Sequence, residues 1–392
     1  MTTLDPCQLR GITWDHSRAF PPLVATAQRF EELNPGVRVM WEKRSLHAFG
    51  HADVAELAAA FDLVVMDHPW CGFAVDRGVF KDLMPLVPPA VIADLRQASV
   101  GGSFASYEYA GQLIALPIDA ATPVACYRSD LLAASDVPRS WADLMALART
   151  GRVAVPMFHV DLLLHLVMLA ATDDPSIFTS PECWATETTA MHAMERLREL
   201  ATLISPGCTA MNPIAVYERM TRSNEYVYCP FAYGYGNYAR AEFTPTPLRF
   251  ADVVAADSGR PLRSVLGGTG VALSVDCRHV DAAIAYMQYT ASADVQRGIY
   301  TSAGGQPAHR VAWTDAKADD HAGGFFDATL ATTDRAYVRP RYHGFLQFQE
   351  NAGPPLAAWI KSGGPANGVL NTINEIYRVS RRHAGAGSSQ GN

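Results

Sequence analysis

Residues 109–132 read YAGQLIALPIDAATPVACYRSDLL, and the fold of the chain is decided in this stretch. An apolar run from Leu113 to Leu116 meets Pro117. Two residues later a single acidic side chain, Asp119, heads a second run that ends at Tyr127. A short carboxylate at the end of a strand accepts paired hydrogen bonds from hydroxyls or holds a cationic group. Alternatively it caps the turn in which it sits. What Asp119 holds is the first question this sequence poses.

The surrounding totals narrow the answer. A chain of 392 residues is too long for one ordinary core and suits two lobes. With 49% hydrophobic and 18% charged residues it has the composition of a folded, soluble protein. A formal charge of −7, with no run of Lys or Arg, leaves no electrostatic footprint for nucleic acid. The seven cysteines are odd in number, scattered and without a Cys-x-x-Cys pair, which fits neither a zinc ribbon nor a fully paired disulfide framework. Such usage suits a reducing cytoplasm, with one bridge left open.

The first fourteen residues carry neither a basic start nor an apolar core of a signal, so the sequence as it stands reads as cytoplasmic, or as periplasmic or extracellular if a signal was removed. The longest apolar run, 162–171, is broken by His165 and far too short to span a bilayer. Membrane insertion is not expected.

Residues 8–13 read as a strand and 14–16 as the loop after it. Residues 21–34 place Leu23, Ala27, Phe30 and Leu33 at helical spacing before Asn34-Pro35-Gly36 stops the helix. A second strand at 37–41, a polar loop at 47–51, an Ala-rich helix from Asp53 and a buried parallel strand at 61–66 complete a βαβαβ beginning. Ligands of open α/β sheets bind outside the carboxyl ends of the strands, where Trp14-Asp15-His16 and Asp67-His68-Pro69-Trp70 both fall. Beyond Ser140, an N-cap, the expected elements are a strand at 152–156, helices at 161–171, 186–203 and 213–223, and a strand at 225–230. An unusual loop, Phe231-Ala-Tyr-Gly-Tyr-Gly-Asn-Tyr238, follows, and a helix is expected at 279–290.

Four blocks then point to a family: FDLVVMDHPW at 61–70, the hairpin leading to Asp119 with the strand ending Tyr127-Arg-Ser-Asp-Leu-Leu132, Gly268-Thr-Gly-Val-Ala-Leu-Ser274 followed by an Ala-rich helix and Ser292-Ala-Asp-Val-Gln296, and Gly304-Gly-Gln-Pro-Ala308. In order and spacing they resemble family 1 of the extracellular solute-binding proteins, the group that largely serves sugar ABC transporters. The resemblance implies an α/β, two-lobed periplasmic-binding-protein fold of type II, maltodextrin-binding-like, with a hinged cleft between lobes built from discontinuous pieces. Lobe 1 would comprise 8–118 plus 267–320 and lobe 2 would comprise 119–266 plus 321–382, with 383–392 a disordered tail. Closure over a small polar solute, a sugar or sugar-like ligand, would hand it to an ABC permease. The expected protein is a monomer without cofactor or metal.

The candidate ligand-binding residues are Trp14, Asp15, His16, Asp67, His68, Trp70, Asp119, Phe231, Tyr233, Tyr235, Gly268, Thr269, Arg341 and Tyr342. The aromatic side chains offer flat faces to a ring, or simply pack the lobes. Asp15, Asp67 and Asp119 offer hydrogen-bond acceptors, or cap their own loops. Arg341, Tyr342 and Arg18 are candidate anion contacts. Glu218 is a ligand contact or a salt-bridge partner. Gly268 and Thr269 read as hinge or as backbone contacts. His16 and His68, with Asp15 and Asp67, leave a second class open: a cytosolic enzyme on this fold using acid/base chemistry. A ligand-sensing partner of another protein is a third.

Overall fold

Strand β1 (Cys7–Trp14) and strand β2 (Val37–Arg44) pair in parallel, Cys7 opposite Val37 through Trp14 opposite Arg44. The helix joining them, α1 (Phe20–Leu33), turns Leu23, Ala27 and Phe30 inward and carries its prolines in the first turn, where no backbone N–H is missed. Strand β3 (Leu63–Met66) is buried along its whole length and pairs in parallel with β1 on the side away from β2. These belong to the computed structural model of the chain, which describes residues 4–45 and 53–386. The loop expected at 47–51 lies outside those residues.

The chain forms two compact units. Unit 1 is 1–121, 235–237 and 267–330, and unit 2 is 122–234, 238–266 and 331–392. In unit 1, β10 (Gly267–Leu273) runs antiparallel to β3 and to β6 (Leu116–Ala121), giving a five-stranded sheet of order β2-β1-β3-β10-β6. Because β6 reverses β10, which reverses β3, the carboxyl ends of β1, β3 and β6 share one edge. That edge is where Trp14, Asp67 and Asp119 meet the surface of the sheet. The helix Val280–Ala291 closes over α1 through Tyr286, whose hydroxyl accepts from Trp41 Nε1 at 2.9 Å and bonds Thr26 Oγ1 at 3.1 Å.

Gly268 permits the contact of β10 with β6. Its φ is +93°, and a Cβ there would lie 2.3 Å from the carbonyl oxygen of Asp119. No side chain fits that approach.

Unit 2 is built on a three-stranded antiparallel sheet, β8-β7-β9, from β7 (Pro123–Tyr127), β8 (Tyr228–Tyr233) and β9 (Arg249–Ala251). Helix α2 (Trp141–Ala148) opens with a capping box between Ser140 and Asp143. Helix α3 (His159–Asp173) is apolar on every side from Leu162 to Ala171 except at His165 and is buried accordingly, against α4 (Glu187–Leu203) and α5 (Phe345–Ser362). Gly353 of α5 lets the two backbones touch, for a Cβ there would lie 2.5 Å from the His159 carbonyl.

Several expectations are corrected here. Residues 152–156 form no strand, only a bridge from Val153 to Tyr228, because the adjacent sheet edge is met at a single residue. The strand expected at 225–230 is β8, shifted to Tyr228–Tyr233, so the first three residues of the aromatic loop are sheet. Helix α6 (Ala366–Ala386) takes in 383–386, which were expected in the tail. Asp119 and 321–330 fall in unit 1, as do Tyr235–Asn237 from within the aromatic segment.

Gly268→Ala is expected to cost about 3 kcal/mol, from positive φ and backbone overlap together. Gly111→Ala has φ +78° but open space around the new carbon, and is expected to cost about 1 kcal/mol. Urea unfolding of the two variants checks this; equal costs would contradict the close approach.

Candidate ligand-binding site

The carboxyl edge of the unit 1 sheet is organised by an ion pair. Arg18, in the turn between β1 and α1, donates Nε to Asp119 Oδ2 at 2.8 Å and Nη2 to Asp119 Oδ1, a two-pronged grip. The side chains are 5% and 0% exposed. Burial penalises the Arg18 charge, but the Asp119 carboxylate outweighs that and holds the guanidinium above its usual pKa. Burial pushes the Asp119 carboxyl upward, opposed by Arg18 and by the backbone N–H of Thr269, with Asp67 adding to the rise. Asp67 is therefore within electrostatic reach of Asp119. The guanidinium carbon lies 5.0 Å from the Tyr235 ring and 5.9 Å from the Trp14 ring, so the cation is also flanked by aromatic faces.

The segment Tyr235-Gly-Asn237 is fastened to this edge. The N–H of Gly236 donates to Gln306 Oε1 at 3.1 Å, Gln306 Nε2 donates to the Ala120 carbonyl at 2.7 Å, and Asn237 Nδ2 donates to Ser17 Oγ at 3.0 Å. His16 packs edge-on to Tyr235 at 4.6 Å and accepts the Arg18 N–H on Nδ1 at 2.9 Å, which assigns its proton to Nε2 when neutral. Asp15 is exposed and takes Lys43 Nζ at 2.8 Å. Asp67 caps the short turn His68–Trp70, accepting the His68 N–H at 2.8 Å and lying 3.1 Å from His68 Nδ1. Its carboxylate is 25% exposed, whereas His68 is buried beside Tyr107. Trp70 is half-buried against Phe73.

In unit 2 the amino end of α3 carries the polar groups. Phe158 is exposed, and its ring lies 4.2 Å from that of His159. Asp161 and His165 stand one turn apart on one face. Burial pushes the Asp161 carboxyl up to about 7 and the His165 imidazole down to about 3. Among the described residues no hydrogen-bond partner meets the Asp161 carboxylate. The His165 ring packs at 4.6 Å on Phe231.

The edge of unit 1 thus brings together Trp14, Asp15, His16, Asp67, His68, Trp70, Asp119 and Tyr235. Of the partners open to Asp119, a hydroxyl, a cationic group or its own turn, the structure gives it a cation, Arg18, because a bare carboxylate at 0% exposure must be paired. Arg18 likewise holds an anion, but the protein's own. Gly268 and Thr269 are buried between β6 and β10 and act on the pairing of the strands. Phe231 is fully buried in unit 2, and Tyr233 is half-buried at the end of β8. Tyr342 is core, its hydroxyl 2.8 Å from Ser380 Oγ and its ring against Phe345 and Tyr377; Arg341 beside it is half-buried. Glu218 is a salt-bridge partner, of Arg222 at 2.5 Å, and accepts the Tyr238 hydroxyl at 2.7 Å. The described contacts of His16 are with Arg18 and Tyr235, and those of His68 with Asp67 and Tyr107. Among the described residues no group of three or more His, Cys, Asp or Glu is placed to hold a metal ion. Gln306, Asn237 and Asp161 were not singled out in advance. The Gly304-Gly-Gln-Pro-Ala308 block was a signal for the first; a lone Asp in an apolar helix start gave none for the last.

Residues 25–323 match the family model of the bacterial extracellular solute-binding proteins, and the chain belongs to that family. Solved structures share its fold. The maltose-bound MalE3 of T. maritima superposes with a TM-score of 0.80 at 15% identity, covering 95% of this chain and 99% of that one. A solute-binding protein of an ABC transporter from Agrobacterium radiobacter, in complex with ribitol, gives 0.78 at 17% identity over 96% of this chain and 100% of the other. The sugar-binding MalE of Xanthomonas citri gives 0.78 at 15% identity over 98% and 100%. No curated protein matches the sequence. The fold is the two-lobed α/β type II fold of maltose-binding proteins, as the resemblance implied. No helix among the described residues is long and apolar enough to cross a membrane.

Arg18→Met and Asp119→Leu should each cost about 3–5 kcal/mol, since either alone strands a buried charge. The double variant should cost far less than their sum, and a double-mutant cycle on unfolding free energies reads the coupling. Additive costs would remove the pair from its organising role.

Asp161 gives a pH dependence. Burial pushes its carboxyl up to about 7 in the fold against 3.8 in the unfolded chain, so its contribution to stability is fully present below pH 4 and is lost as pH rises through 7. Asp161→Asn should therefore raise stability at pH 8, by about 2–4 kcal/mol once the helix amino end is allowed for, and change little at pH 4. Melting curves at both pH values check this, and destabilisation at pH 8 would contradict it.

Proposed function

We propose that this protein binds an uncharged polyhydroxylated solute, a sugar or polyol, and delivers it unchanged to the permease of an ABC importer outside the cytoplasm. The observation that carries the reading is the pairing of two cations at the carboxyl edge of unit 1 with the protein's own carboxylates. The Arg18 cation is taken up by Asp119 and the Lys43 cation by Asp15, so no unpaired cation among these groups awaits an anionic solute. What the edge offers is the half-buried ring of Trp70, backed by the buried rings of Trp14 and Tyr235, with hydrogen-bonding groups on His16 and Asp67. Ring faces and carboxylate acceptors are the complement of a sugar's C–H face and hydroxyls. The maltose and ribitol named with two structural neighbours are of the same chemical class.

In this reading Asp67, partly exposed, receives solute hydroxyls, and Asp119 acts through Arg18, holding the cation from below the site. His16 is oriented by the Arg18 backbone N–H on its Nδ1. The protein works as a monomer. The family description favours an extracellular location.

Thermal shift against neutral sugars and polyols, sugar acids and amino acids, with mass analysis of each stabilising compound afterwards, tests this. A neutral saccharide or polyol is expected to raise the melting temperature by a few degrees at saturating concentration and to be recovered intact. Asp67→Asn should then weaken its binding by about 1.5–3 kcal/mol. Stabilisation by sugar acids alone would contradict the charge argument, and recovery of a converted compound would favour an enzyme.

A further inference from the structure

We propose that Cys126 and Cys229 of unit 2 become joined by a disulfide when the chain folds in an oxidising compartment, cross-linking β7 to β8. The two residues are Cα partners directly opposite one another in the antiparallel pairing of these strands. Opposite residues of such a pair stand about 4.5–5.5 Å apart at Cα, inside the roughly 4.4–6.8 Å span of disulfides. Opposite side chains also share one face of the sheet, so both thiols project to the same side. The Cys126 thiol is pushed well above its ordinary pKa by burial first and then by its hydrogen bond and proximity to the Cys229 thiol. The two thiols thus lie close enough to interact, while the Cys126 thiol itself donates to Met220 Sδ at 4.0 Å. The strand irregularity between Val124 and Cys126 relaxes the ladder beside the pair, which gives the linkage room to adjust.

Compartment makes the point consequential. The family is extracellular, and disulfides persist in such surroundings while cytoplasmic thiols stay reduced. In the structure all seven cysteines are thiols, so the bond is a modification of this state.

The chemistry is exchange with a small or protein disulfide donor. One cysteine, as its thiolate, attacks a donor sulfur, forming a mixed disulfide and releasing one donor thiol. The second cysteine's thiolate attacks the cysteine sulfur of that mixed disulfide and releases the second. Two S–H bonds are lost from the protein, the donor is reduced by two electrons, and the protons end on the released thiols. Both cysteines are 0% exposed in the fold, so the exchange belongs to folding, before the strands pack.

The test is refolding of the full chain from denaturant, once with reduced and oxidised glutathione and once with excess dithiothreitol, followed by thiol titration under denaturing conditions. From seven cysteines the pair leaves five thiols after oxidative refolding, against seven after reductive refolding. The oxidised protein should be two hydrogens lighter, yield a linked peptide pair containing Cys126 and Cys229, and melt several degrees higher. Cys126→Ser should abolish the linked peptide and the gain in melting temperature. Seven thiols after oxidative refolding, or a bridge mapped to another pair such as Cys208 with Cys229, would overturn the proposal. Thiol count and mapping on the unsubstituted chain decide it even if the serine variant fails to fold.

Discussion

A guanidinium and a carboxylate removed from water must hold each other, and in unit 1 this requirement ties together four separate pieces of chain. Arg18 comes from the β1–α1 turn, Asp119 from β6, and the N–H of Thr269 from β10 supports the same carboxylate. Tyr235, from a segment distant in sequence, lies over the cation. Removing two ions from water is expensive, and their attraction offsets the cost only when the geometry is two-pronged and the remaining valences are met. The grip here is two-pronged and the Thr269 N–H supports the carboxylate, so the pair fixes position at the edge where three strands end.

That constraint has a functional consequence. An arginine beside a cleft loop is ordinarily read as an anion receptor, but this one is spent internally. What remains accessible at this edge is the half-buried Trp70 ring, with the Asp67 carboxylate and the His16 imidazole. Physical complementarity then favours hydroxyl donors over anions, which agrees with membership of a solute-binding family without depending on any one neighbour's ligand.

The fold was largely legible because its signals are local. Helical spacing of Leu23, Ala27 and Phe30, the apolar run of β3, the capping pair at Ser140 and Asp143, and glycine at 268 each express a constraint within a few residues. The site was legible only as a set of strand ends. Which side chains meet there depends on contacts across a hundred residues, such as Arg18 with Asp119, and neither partner's local sequence encodes the other. Tyr342 and Phe231 illustrate the converse: the first reads as an anion contact beside Arg341 and the second as a ligand face, yet tertiary packing buries them against Ser380 and His165. The segment 152–156 failed as a strand because a bridge partner exists at one residue only.

The most direct test of the central claim is native mass spectrometry of the intact chain after incubation with a complex metabolite extract, with the retained solute released by denaturation and identified. The account predicts a neutral, polyhydroxylated compound at one per chain, released with the mass it had when bound. A retained anion, such as a phosphorylated or carboxylated solute, would contradict it.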